Sequence, residues 1–181
     1  MVPAALAVLL LVVATVTDVL RHKIYNWTTY PGIVGGFAAN WFFGGPAGAE
    51  AGREALESSL LGFLVCGFIM LFCLLFFEIG GGDVKLIAMM GACLGLYRGI
   101  EAMLWTFILG AVLGIAILVW QLGFLRIAGN VWRHLALVVK TRGWVPPTPQ
   151  ERGPLKQGLF LAPSALVAVL IVTREHWMDL F

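Results

Sequence analysis

The sequence predicts an all-α membrane protein, a polytopic bundle of about six transmembrane helices with one amphipathic helix lying in the cytoplasmic interface. Three observations carry that expectation. Of the 181 residues, 60% are hydrophobic and 12% are charged, where a soluble domain has roughly a quarter charged. The charges gather in a few short segments, and the apolar runs between them approach the ~20 residues that a spanning helix needs. The basic residues are shared unevenly among those segments, as they are when one set faces the cytoplasm. The length leaves room for a single domain, 1–181. The net charge is only +2 and no RNA- or DNA-reading motif is present, which excludes nucleic acid as a partner. The lipid bilayer is the partner that composition demands.

Residues 1–17 carry no charge. Nothing basic precedes this run, and Arg21 and Lys23 follow it. It therefore reads as an uncleaved spanning helix with its N-terminus outside. The polar link 18–26 comes next. A second helix is expected over 27–43, ended by the breaker Gly44-Gly45-Pro46. The link 44–57 sets Arg53 against Glu50, Glu54 and Glu57, and is placed outside. Residues 58–77 form an apolar run of 20, long enough to span. The fourth run, 84–97, has 14 residues. At 1.5 Å each that is about 21 Å, short of a hydrocarbon core of about 30 Å. A full span ending near Arg98 would begin near residue 79 and leave Asp83 about one turn inside the cytoplasmic boundary. The same arithmetic puts Asp18 at a similar depth.

A fifth helix is expected over 102–124. The segment 126–157 then holds Arg126, Arg133, Lys140, Arg142, Arg152 and Lys156 against Glu151 alone, the strongest cytoplasmic signal in the chain. Arg126, Arg133 and Lys140 recur every seven residues with apolar residues between them, the pattern of an interfacial amphipathic helix. Val145-Pro146-Pro147-Thr148-Pro149 is an extended spacer. A sixth helix over 158–173, interrupted by Pro163, leads to a short outer tail. The cytoplasmic links are then 18–26, 78–83 and 125–157. Cys66, Cys73 and Cys93 lie in apolar runs without a CxxC pair and read as free buried thiols. His22, His134 and His176 are scattered, so neither a metal nor a cofactor is expected.

The chain is organised around Glu78-Ile79-Gly80-Gly81-Gly82-Asp83-Val84-Lys85. The glycine triplet breaks the helix before it and lets another backbone come close. An ionisable group at membrane depth is costly and marks a functional site by default. Within the spans, the acidic residues on the cytoplasmic side are Asp18, Glu78 and Asp83. Two carboxylates held close in a low dielectric cannot both ionise, so the pair shares a proton. The charged member can take a proton from water while the protonated one hydrogen-bonds a scissile carbonyl, the logic of an aspartic protease. Position alone leaves other readings open. Asp83 could cap a helix, Asp18 could mark the water boundary, and the two could form the proton relay of a small proton-coupled carrier or channel subunit.

Gly80-Gly81-Gly82-Asp83-Val84-Lys85 resembles the GxGD motif, with its following lysine, of the type IV prepilin leader peptidases. The stretch Asp18, Arg21, His22, Lys23, Ile24, Tyr25, Asn26 resembles that family's other catalytic segment, with Tyr25 where proline is usual. Ala162-Pro163 resembles its Ala-Pro near the C-terminus. The resemblance spans nearly the whole chain. It implies that Asp18 and Asp83 are the catalytic pair of an aspartic endopeptidase, with Gly80, Gly82, Lys85 and Asn26 in support. Lys85 either orients the pair or simply snorkels. The implied substrate is a prepilin- or preflagellin-like protein, cut after a glycine to remove a short basic leader. The implied place is the cytoplasmic (inner) membrane, multi-pass, with the active site facing the cytoplasm. Larger family members carry a cytoplasmic insertion with two CxxC pairs that accompanies methylation. This chain has no such segment and resembles the compact, peptidase-only kind found with Tad/Flp pili or in archaea, for which no methyl transfer is expected. The sequence leaves the oligomeric state open.

Overall fold

In the computed structural model, which describes residues 2–21, 23–44, 49–76, 80–122 and 161–174, almost every described residue is helical and none is in a strand. The elements are α1 (Val2–Arg21), α2 (Asn26–Phe43), α3 (Ala49–Phe76), α4 (Gly81–Leu94), α5 (Leu96–Leu122) and α6 (Leu161–Val172). Val2–Arg21, Glu50–Phe76 and Leu96–Ile117 are long and apolar enough to cross a membrane, and α6 is a shorter apolar helix. The architecture is an all-helical membrane bundle. The interfacial helix expected within 126–157 lies outside the described residues, as do Glu78 and the three histidines.

The chain divides into two compact units, Met1–Gly110 with Phe160–Phe181, and Ala111–Leu159. Of the second, only the end of α5 is described. It presents Val112, Leu113, Ile115 and Trp120 outward, the apolar surface expected of a helix in lipid.

In the first unit α4 is the central element, packed by α1, α2, α3 and α6. Its residues 86–93 are all buried. A helix that is apolar on every side is stable only when surrounded. Lipid is as apolar as a leucine side chain, so packing in a membrane rests on close backbone approach at small residues. A Cβ on Gly62 of α3 would stand 2.5 Å from the Gly91 carbonyl oxygen, and one on Gly91 would run into the Gly62 carbonyl. A Cβ on Gly36 of α2 would lie 3.0 Å from the Ala92 carbonyl carbon. On the α2 side of α1, Gly32 leaves room for Leu10.

The sequence expectation of a fourth run reaching Tyr97 and a fifth helix starting at 102 is corrected by Gly95. Its φ of 79° and ψ of −177° fall in a region that essentially only glycine occupies. α4 ends there after 14 residues, and α5 begins at once with Leu96. A break inside a bundle leaves carbonyls without helical partners, and hydrocarbon offers none. Side chains supply them. Asn40 Nδ2 donates to the carbonyls of Ala92 (3.1 Å), Cys93 (3.0 Å) and Gly36 (2.9 Å). Ser59 Oγ donates to the Ala92 carbonyl as well, and the Leu96 N–H donates to Ser58 Oγ at 3.1 Å.

Two further boundaries differ. α3 begins at Ala49, not 58, because Ala, Glu and Arg are strong helix formers and Arg53 pairs with Glu57 one turn on, at 3.0 Å. Charge keeps this stretch in water without ending the helix. Pro163 does not interrupt the last helix. The helix runs through it over the described residues Leu161–Val172. Cys66 and Cys93 are buried and Cys73 is half-buried, all three as free thiols.

The contact between Gly62 and Gly91 yields a direct expectation. Gly91→Ala should destabilise the protein by about 1–3 kcal/mol, the usual cost of overpacking. Gly81→Ala, whose Cβ would meet nothing within 4 Å, should change stability by less than about 0.5 kcal/mol. Unfolding in mixed micelles checks both, and equal stability of the two variants would refute the close approach of α3 and α4.

Candidate active site

The inward residues of α1 are Ala4, Ala7, Leu11, Ala14 and Asp18. Spacings of three and four keep them on one helical stripe, and Asp18 is that stripe's last member. Val16, Val19 and Leu20 point outward. Asp18 is therefore 9% exposed, held in the bundle by the same periodicity that buries the alanines. Its Oδ2 accepts a hydrogen bond from the backbone N–H of Ala162 at 3.4 Å. Ala162 is the second described residue of α6, and its N–H gives the buried carboxylate a backbone donor. The carboxylate stands at the C-terminal end of its own helix, where the dipole opposes it, and α6 offsets that.

Asp83 is set by the glycines. Gly80 is the N-cap of α4, with extended backbone (φ −70°, ψ 137°), and Asp83 is the helix's third residue. Its backbone N–H bonds to the Gly80 carbonyl at 3.0 Å, and its carboxylate accepts from the Gly80 N–H. That return bond is half of a capping box and fixes the side chain over the helix start. The three glycines differ in surroundings. A Cβ on Gly82 would stand 3.1 Å from Ile24 Cβ, and one on Gly80 would lie 3.2 Å from Asp83 Oδ2. One on Gly81 would face open space. The glycine that borders the carboxylate is therefore Gly80, while the outer side of Gly81 is open.

The end of α1 and the start of α4 bring Asp18 and Asp83 close enough to interact electrostatically. The sequence-predicted pair is one cluster. Lys85 and Asn26 are brought together beside it, with Lys85 Nζ donating to Asn26 Oδ1 at 2.8 Å. The same ammonium lies 5.2 Å from the ring centroid of Tyr30, within cation–π range. Lys85 thus has two partners on α2. Asn26 and Tyr30 are four residues apart, on one face of α2. Tyr30 was not anticipated, and that spacing is the one sequence signal that could have found it.

The link between α1 and α2 is pinned at three points. Ile24 rests on Gly82, Asn26 on Lys85, and Arg21 donates to Tyr25 Oη at 3.1 Å. Tyr25 is the N-cap of α2 with φ −83° and ψ 139°, close to the conformation a proline would impose. The tyrosine keeps the backbone shape expected of a proline there. Glu78, the third acid of the sequence reading, lies outside the described residues. Among the described residues no group of three His, Cys, Asp or Glu is placed to hold a metal ion.

Two carboxylates from different helices, each accepting a backbone N–H, can hold and pass protons across a peptide group laid between them. Comparison with known proteins agrees with a peptidase. The sequence profile of the Type IV leader peptidase family matches residues 5–115, a stretch that contains both aspartates and the glycine triplet. Neither the curated proteins nor the solved structures include a match to this chain.

The Lys85–Asn26 bond joins segments that are remote in sequence, and a double-mutant cycle measures it. Asn26→Ala and Lys85→Met should each destabilise the protein, and the double variant should show a coupling of about 1 kcal/mol. Strict additivity of the two losses would mean that the bond does not hold the link against α4.

Proposed function

The chain belongs to the Type IV leader peptidase family, and we propose that it is an aspartic endopeptidase that removes the short basic leader from prepilin-like proteins at the cytoplasmic membrane face. The observation that carries this reading is that Asp18 at the end of α1 and Asp83 at the start of α4 lie near enough to interact electrostatically. Such a pair carries one proton between them. The ionised carboxylate takes a proton from water as the water oxygen bonds to the scissile carbonyl carbon. The protonated carboxyl gives its proton to the carbonyl oxygen, leaving a neutral tetrahedral diol. On collapse the C–N bond breaks, the leaving nitrogen receives a proton from the first carboxyl, and the second carboxylate recovers one from a diol hydroxyl. The products are an acid and an amine, and the pair again holds one proton.

Other features of the chain support the same reading. The open side at Gly81 suits an extended substrate backbone. Arg21 and Lys23 flank Asp18 on the face assigned to the cytoplasm by charge. In this reading Asn26, Lys85, Gly80 and Gly82 hold the two aspartates in register and carry no proton. The compact chain processes without methylating.

Asn keeps the shape of Asp but cannot exchange the proton. Asp18→Asn and Asp83→Asn should each abolish leader cleavage while the protein still inserts, a loss beyond the roughly 10²–10⁴-fold of general acid–base help. The double variant should be no worse than either single, because groups acting as a unit are non-additive. Glu78→Gln should cut normally. Leader loss from a candidate prepilin, followed on gels, is the measurement, and near-normal cutting by Asp18→Asn would exclude the two-carboxylate mechanism. The orientation has its own test. Cysteine at Gly129 or Thr148 should be labelled only from the cytoplasm and at Ala51 only from outside, and reversed labelling would move the site to the other face.

A further inference from the structure

Asn40 and Asn26, the two described asparagines, spend their side-chain amides differently. Asn40 Nδ2 donates to carbonyls of the protein itself, at Gly36, Ala92 and Cys93. Asn26 is exposed, and among the described residues its side chain makes one bond, in which Oδ1 accepts from Lys85 Nζ at 2.8 Å. An ammonium only donates, so the oxygen end of the amide must face Lys85. The amino end, with its two hydrogens, is turned away from that lysine. Nor is the side chain used locally. The N-cap of α2 is Tyr25, which makes no side-chain cap bond, and Asn26 is the first residue of the helix.

The amide is held on both sides. Thr28 and Thr29 donate their hydroxyls to the carbonyls of Tyr25 (2.7 Å) and Asn26 (3.3 Å), which fixes the first turn of α2. Lys85 is itself placed by Tyr30, whose ring centroid lies 5.2 Å from Nζ. Ile24 rests on Gly82 and Asn26 on Lys85, so the link follows the part of α4 that carries Asp83. Lys85 is two residues beyond Asp83, about 3 Å along the helix axis, and an extended peptide advances about 3.3 Å per residue. A chain held at the aspartates meets Asn26 within a few residues of the bond that is cut.

Fixed donors with no acceptor in the protein call for an acceptor in the ligand. Extended peptides are often gripped by main-chain pairing with a sheet edge, and none of the described residues is in a strand. In a helical bundle the backbone groups are spent within their own helices, so side-chain amides are left to take that part. The acceptor that every peptide carries is its main-chain carbonyl oxygen.

We propose that Asn26 is a substrate-binding residue whose Nδ2 donates to a main-chain carbonyl oxygen of the peptide near the scissile bond, while its Oδ1 stays on Lys85. The inference rests on the endopeptidase reading and adds to it a group that holds the substrate backbone. No proton is transferred through it.

The test is steady-state cleavage of a leader-bearing peptide by the full-length protein in lipid vesicles. Asn26→Asp keeps an oxygen for Lys85, now as an ion pair, and loses the amide hydrogens. Thermal stability should be kept, kcat should stay within about twofold, and KM should rise about 5–20-fold, the pattern of lost uniform binding. A purely structural Asn26 predicts a parent-like KM in this variant, because the tie to Lys85 survives. The bond is located by replacing one peptide carbonyl at a time with a thiocarbonyl, a poorer acceptor. At one position within about four residues of the cut, the replacement should raise the KM of the parent about fivefold and leave Asn26→Asp no worse. Should Asn26→Asp fail to accumulate, Asn26→Ala, assayed below its melting temperature, is read in the same way. A KM within about twofold of the parent, or additive losses at every position, overturns the proposal. Asp18→Asn run alongside separates the two levels. If it is inactive while the Asn26 variant keeps the parent KM, only the binding role falls; if it cleaves, the carboxylate mechanism falls whatever Asn26 does.

Discussion

The structure depends on one constraint, which is that α4 is enclosed. Other helices and lipid leave no route for water to its middle, so whatever its two ends lack must come from side chains or backbone nearby. At the C-terminal end the break at Gly95 uncovers carbonyls, and Asn40 and Ser59 take them. At the N-terminal end the first turn has N–H groups to satisfy, and Asp83 turns back to Gly80. The glycine contacts with α2 and α3 follow from the same enclosure, since a helix surrounded so closely needs gaps where backbones touch. The carboxylate to which the proposed chemistry is assigned is also one that the enclosed helix uses to begin.

Much of the site could be read in advance from local pattern. The three-and-four spacing from Ala4 to Asp18 is visible in the sequence and assigns Asp18 to the inside. The glycine triplet marks where α4 starts. The electrostatic interaction of Asp18 with Asp83 is consistent with the shared depth found by counting residues at a fixed rise. The bond between Lys85 and Asn26 was not legible: resemblance marked each residue, but nothing local ties a lysine on one helix to an amide on another. The Ala162 contact was half visible. Resemblance marked the residue, but a backbone N–H bonded to a distant carboxylate leaves no trace in side-chain pattern.

The misread boundaries share a cause. Gly91 and Gly95 sit in the same stretch, Gly91-Ala92-Cys93-Leu94-Gly95, and look alike as letters. One is helical and packs against Gly62, while the other has positive φ and ends the helix. What separates them is the partner across the interface, which is tertiary information. The start of α3 was misplaced for the opposite reason. Charge was taken as the end of a helix when it marks only the end of the hydrocarbon. Helix propensity and the Arg53–Glu57 pair carry the helix on into water.

The shortness of α4 has a consequence for how the protein meets membranes of different thickness. At 14 residues α4 is about 21 Å long, and α3 at 28 residues is about 42 Å. Bilayers differ by several ångströms in their hydrocarbon depth, and a mismatched helix adapts by tilting or by deforming the lipid around it. α4 is shielded from that adjustment, because both of its ends close on protein groups. A thicker or thinner bilayer is met first by the polar early turns of α3, where the Arg53–Glu57 pair already stands in water. Asp83, at the start of that enclosed helix, keeps its place against its protein neighbours while the depth of the surrounding lipid changes.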